Sequence, residues 1–79
     1  MARVLFLGPA REAAGVREDH IDAPTLDAVL REATTRYGAS FEAVLAVSQV
    51  WVNGAVAEPD TSVSPYDEIA VLPPISGGC

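Results

Sequence analysis

Seventy-nine residues, 49% of them hydrophobic, suffice for one small domain with a modest core and argue against disorder. Five arginines, no lysine and eleven acids give a formal net charge of −6, which disfavours nucleic acid and favours basic protein surfaces. The one cysteine excludes an internal disulfide, no apolar run is long enough to span a membrane, and no secretory leader is recognisable, so a cytoplasmic address is the default expectation.

Ala2 to Leu7 reads as a first strand, with Val4 and Phe6 on one face and Arg3, Leu5 and Leu7 on the other. Gly8-Pro9 breaks it. Pro9 at a first helical position and Gly15 just past the end bracket a short helix over Pro9–Ala14. Val16 to Ile21 is a more polar strand, expected at an edge. Thr25 is a good N-cap, and Leu26, Val29, Leu30, Ala33 and Tyr37 make one apolar stripe of a helix that Gly38 can end. Ser40 is placed to cap a second short helix that turns Phe41, Val44 and Leu45 inward. Asn53-Gly54 between the apolar runs Gln49–Val52 and Ala55–Ala57 predicts a hairpin with a type I′ turn. Ser64-Pro65-Tyr66-Asp67 predicts a further turn, leading into a last strand, Glu68 to Leu72.

One main amphipathic helix covers one face of a sheet, so this order predicts an α+β fold with a mixed sheet of four to five strands. A right-handed crossover makes the first and last strands parallel central neighbours, which is the β-grasp arrangement. The whole chain, 1–79, is expected to form one domain, with 73–79 a flexible C-terminal tail.

That tail is the most informative stretch. Pro73 and Pro74 lack a backbone N–H and favour an extended path, so they aim the end away from the body. Ile75, Ser76, Gly77 and Gly78 add little bulk and no charge; extended, they reach roughly 13 Å. Such a thread suits insertion into a deep slot of another protein, whereas most glycine-rich ends simply fray. An apolar strand running straight into the Pro-Pro pair favours the first reading.

Little else resembles an enzyme site. His20 is alone on a charged strand, and one His with one Cys cannot assemble a zinc site without several carboxylates. Asp67 and Glu68, as strand neighbours, point to opposite faces and fit a solvated turn better than a catalytic pair. Trp51 suits the core and an exposed sheet contact about equally. Leu5 and Leu7, if no helix covers them, form an apolar patch of the kind that marks an interface. What remains is an acyl carbon at Gly78. Activated with ATP as an acyl-adenylate on a partner enzyme, a carboxylate there could be taken by a sulfur nucleophile to leave a thiocarboxylate.

The stretches Val4-Leu5-Phe6-Leu7, Ala10-Arg11-Glu12-Ala13-Ala14-Gly15, Val52-Asn53-Gly54 and Asp67 through Pro73-Pro74 to Gly77-Gly78 carry a resemblance over essentially the whole chain. The chain is similar to the ubiquitin-like sulfur carriers, most closely the small subunit of molybdopterin synthase (MoaD type), with ThiS more distant. The resemblance implies a ubiquitin-like β-grasp fold and a non-catalytic role as a covalent sulfur-carrying co-substrate. It also implies adenylation and thiocarboxylate formation at Gly78, docking through Leu72, Pro73, Pro74, Ile75, Ser76 and Gly77, and no bound cofactor or metal. The implied partners are a ubiquitin-activating-like adenylating enzyme, which uses the ATP, and a sulfur-accepting synthase or large subunit. Molybdopterin biosynthesis is the leading product expectation; cysteine, thiolated tRNA, a specialised metabolite and protein modification are the alternatives. Two departures stand out. Tyr66 replaces the glycine common before the Asp-Glu pair, and Cys79 follows the second glycine, leaving Gly78 without a free carboxylate. Removal of Cys79 by a peptidase is the preferred reading; a residue added for ligation or labelling is the alternative.

Overall fold

Alternation of apolar and polar side chains along Ala2–Phe6 (β1) buries Ala2, Val4 and Phe6 and leaves Arg3 exposed and Leu5 half-covered. A computed structural model describes residues 1–73. After β1 the chain forms α1 (Pro9–Ala14), β2 (Glu18–Ile21), α2 (Leu26–Tyr37), α3 (Ala39–Ala46), β3 (Gln49–Val52), β4 (Ala55–Val56) and β5 (Glu68–Leu72). The five strands make one mixed sheet in the order β2-β1-β5-β3-β4. β1 and β5 run parallel, with Val4 opposite Ile69 and Phe6 opposite Val71, and the other neighbours are antiparallel. The expected β-grasp topology is therefore present, with β2 at an edge.

The helices cover one face. Leu26, Val29 and Ala33 of α2 and Phe41 of α3 are buried together with Val4, Phe6, Ile21, Ile69 and Val71. Phe6, Tyr37 and Phe41 meet as an aromatic triad with ring centroids 5.4–5.6 Å apart. Fully burying one such ring contributes about 1.5–3 kcal/mol. No charged or polar residue is buried among the described residues, so this core carries no unmet polar cost.

Local chemistry sets the boundaries. Thr25 Oγ1 accepts the Ala28 N–H, as expected of an N-cap, while the Leu26 and Asp27 N–H groups donate to the carbonyls of Thr61 and Pro59. The loop after β4 thus satisfies helix-end donors that the helix itself cannot. At the other end the structure corrects an expectation. Gly38 (φ 88°, ψ −166°) both closes α2, through its N–H on Thr34, and occupies the N-cap of α3, so Ser40 lies inside the first turn and caps nothing. Asn53 and Gly54 both have positive φ, as a type I′ turn requires. The Asn53 amide also reaches Asp67 (3.0 Å) and its carbonyl oxygen accepts the Glu68 N–H (2.9 Å), which pins the hairpin to the start of β5.

The exposed edge is guarded. Tyr37 Oη and the Arg36 guanidinium both donate to the Asp19 carboxylate of β2, and Arg36 also reaches the His20 carbonyl (3.2 Å). These contacts tie β2 to the end of α2 and occupy a carbonyl that an intruding strand would need. Partial burial raises the Asp19 pKa, but the bonds from Tyr37, Arg36 and the His20 N–H outweigh it, and the carboxyl is held below its usual value. Burial, then the bond to Asp19, pushes the Tyr37 phenol up to about 12.

The sign of both shifts gives a pH profile. The Asp19 contribution is present above the unfolded carboxylate pKa near 4 and is lost as pH falls below it. The Tyr37 contribution is complete below the unfolded phenol value of about 10 and is lost as pH rises towards 12. Thermal melts against pH should show both flanks, and Asp19→Asn should flatten the acid flank and let Tyr37 ionise at lower pH in an absorbance titration. A second test concerns Gly8 (φ 58°, ψ −130°), which opens the turn closed by the Ala10 N–H on the Leu7 carbonyl (3.3 Å). A Cβ there would be strained and would stand 3.4 Å from the Pro73 ring. Gly8→Ala is expected to cost about 1–3 kcal/mol in chemical denaturation.

Candidate docking face and tail root

β5 delivers the tail. Its last paired residue, Leu72, stands opposite Gln49, and the Val71 carbonyl accepts the Leu7 N–H (3.0 Å). Pro73 then packs beside Gly8. The tail therefore leaves from the centre of the sheet, held on both sides by neighbouring strands, rather than from a fraying edge. The expected site residues Pro74, Ile75, Ser76, Gly77, Gly78 and Cys79, and with them the expected tail flexibility, lie outside the described residues.

Among the described residues no helix covers the other face of the sheet. The registers set Leu5 beside Ala70, Ala70 beside Trp51, and Trp51 beside Val56 on that face, with Leu72 opposite Gln49. Leu5, Trp51, Ala70 and Leu72 are half-buried, and Val56 is 69% exposed. Trp51 is thus a sheet-surface residue rather than a core one, its indole N–H held by Gln49 Oε1 at 3.1 Å. Leu7, 46% exposed, lines the same cleft as Leu5. Leu5 and Leu7 thus share a cleft, and Ala70 links Leu5 to Trp51 on a face that adjoins the tail root. Sequence reasoning missed Ala70 and Val56 as members of it; the alternation in Glu68–Leu72 and the hairpin register carried that signal.

The polar rim is ordered by ion pairs. Arg3 bridges Glu18 (3.1 Å) and Glu68 (3.4 Å) across three strands, which raises its own pKa and lowers that of Glu18. Asp67 accepts the Ser64 N–H (2.8 Å) and the Asn53 amide, and both bonds hold its carboxyl below the usual value. It serves a turn, and Glu68 faces Arg3, so the two acids do not share a site. Among the described residues no group of three potential ligands could hold a metal ion, and no helix is long and apolar enough to cross a membrane.

Comparison with known proteins fits this arrangement. No curated protein matches the chain by sequence. Among solved structures, the small archaeal modifier protein 1 of Methanosarcina acetivorans is similar at 25% identity and TM-score 0.86, over 98% of this chain and 95% of that one. CysO of Mycobacterium tuberculosis shares the fold at 17% identity and TM-score 0.80, over 95% and 100% of the two chains. The complex of subunits 1 and 2 of the molybdopterin-converting factor from Helicobacter pylori contains a chain similar at 27% identity and TM-score 0.71, over 98% of this chain and 97% of that one. These are ubiquitin-like carrier and modifier folds. The sequence model of the ThiS family matches residues 4–78, almost the entire length, and the chain belongs to that family.

Proposed function

We propose that this protein is a sulfur carrier whose working group is the acyl carbon of Gly78, exposed as a carboxylate once Cys79 is removed by a peptidase. The observation that carries the reading is the family match, which runs to Gly78 and stops short of Cys79. The chemistry belongs to partners. On an adenylating enzyme the Gly78 carboxylate attacks the α-phosphorus of ATP and displaces pyrophosphate. A sulfur nucleophile then adds to the acyl carbon, AMP leaves, and a thiocarboxylate remains for transfer to an acceptor.

The body's part is positioning. The Leu5–Trp51–Leu72 face is an apolar patch beside a charged rim, the make-up of a protein interface. Pro73 and its neighbours Pro74 to Gly77 form the segment that would thread a partner's slot. Glycine at the end leaves the acyl carbon unobstructed, and with no lysine in the chain no ε-amine of its own competes for the activated group. No side chain here acts as a catalyst, and no bound cofactor is required beyond the ATP consumed by the activating partner. The likeness to a subunit solved in complex with its partner subunit supports a synthase acceptor and pterin dithiolene synthesis. A second reading, covalent modification of other proteins, is supported by the likeness to a small archaeal modifier protein.

The experiment is intact mass spectrometry on a form ending at Gly78, incubated with ATP, sulfide and the adenylating enzyme encoded nearest its gene. Replacement of one oxygen by sulfur is expected. The full chain should stay unchanged until Cys79 is removed, and Trp51→Ala should slow conversion about tenfold or more while the fold melts normally. Adducts with other proteins in place of the sulfur shift would favour the modifier reading, and no mass change at all would reject both.

A further inference from the structure

The chain has few cations, and their placement is uneven. Of its five arginines, Arg31 and Arg36 are paired with acids on α2 and β2. The other three, Arg3, Arg11 and Arg17, line a single cleft of about 200 Å³ with Leu5 and Leu7 on its apolar wall. Among the described residues Glu18 is the only acid that lines it, and it is engaged by Arg3 (3.1 Å). Arg11 and Arg17 are exposed and form no ion pair among the described residues. The cleft lies where β1 ends, beside the Leu7–Val71 hydrogen bond and the Gly8–Pro73 contact that mark the tail root.

We propose that this cleft receives an acidic segment of a partner protein, one that presents a carboxylate to Arg11 and Arg17 and an apolar side chain to Leu5 and Leu7. The inference rests on the docking reading of the sheet face and names the chemistry of what docks there. The physical reason is range. At physiological salt, charges are screened over about 8 Å, so a net charge of −6 spread over the whole surface acts weakly at contact, whereas two unpaired guanidinium groups act directly. Composition alone points to basic partners; the local field at the tail root selects an acidic one. Guanidinium also binds carboxylate in a fixed two-pronged geometry, which would set the angle at which the tail meets its slot. Three cations against this net charge are too few for a phosphate backbone.

A direct test titrates the isotopically labelled full chain with a capped peptide of alternating glutamate and leucine, and with a lysine–leucine peptide as control, following backbone amide shifts. The glutamate peptide should move the amides of Leu5, Leu7, Arg11 and Arg17, weaken with added salt, and bind about tenfold or more weakly to an Arg11→Glu, Arg17→Glu double variant. Arg31→Glu, on the helix side, should leave binding unchanged, and Arg11→Gln should give an intermediate loss without reversing charge. Shifts spread over α2 and α3, equal shifts from the lysine peptide, or none at all would overturn the proposal. Neither ATP nor sulfur enters this experiment, so its failure would leave the sulfur-carrier reading standing, and the reverse also holds.

Discussion

Parallel pairing of β1 with β5 places the first and last strands side by side in the middle of the sheet. Everything that bears on function follows from it. The pairing buries Val4, Phe6, Ile69 and Val71 against the helices, and it sets Leu5 and Ala70 together on the uncovered side. It also fixes the start of the tail, because the strand that ends at Leu72 is flanked by β1 and β3. Parallel strands need a crossover, and α2 supplies it. The aromatic triad of Phe6, Tyr37 and Phe41 then joins the crossover and α3 to the paired strands.

The two faces divide the labour. On the helix side Leu26, Val29, Ala33 and Phe41 are buried against the sheet, and the ionic contacts sit at the periphery, where exposed pairs contribute little individually. On the open side the same sheet presents apolar side chains to solvent next to arginines. That combination would be a liability in a chain without partners; under the proposed carrier role it is the surface a partner would meet beside the tail root. The groove of about 350 Å³ between α2 and α3, lined by Leu30, Leu45 and Ala46, lies on the helix side and so away from the open face.

Much of this was legible in the sequence, and the residues explain why. Thr25, Asn53-Gly54, Gly15 and the stripe from Leu26 to Tyr37 are local signals whose chemistry admits few alternatives. The central parallel pair followed from element order and crossover handedness. The α2–α3 junction was less legible, because one glycine serves as the end of one helix and the start of the next, and Ser40 looks like a cap when read alone. The cleft formed by Arg3, Arg11 and Arg17 had no local signature. Those positions share no period and meet only because β1, α1 and the bend before β2 fold back on one another. Trp51 could be resolved only by register, since alternation alone left both faces open to it.

If the body positions the tail, the tail root must be as firmly held as the core. Native-state hydrogen exchange tests it at the Leu7 amide, whose acceptor is the Val71 carbonyl two residues before Pro73. Leu7 should exchange only through global unfolding, with the same opening free energy as the amides inside the β1–β5 pair. Exchange at Leu7 through a much cheaper local opening would contradict it, because the tail would then leave from a frayed end and the body could not position it.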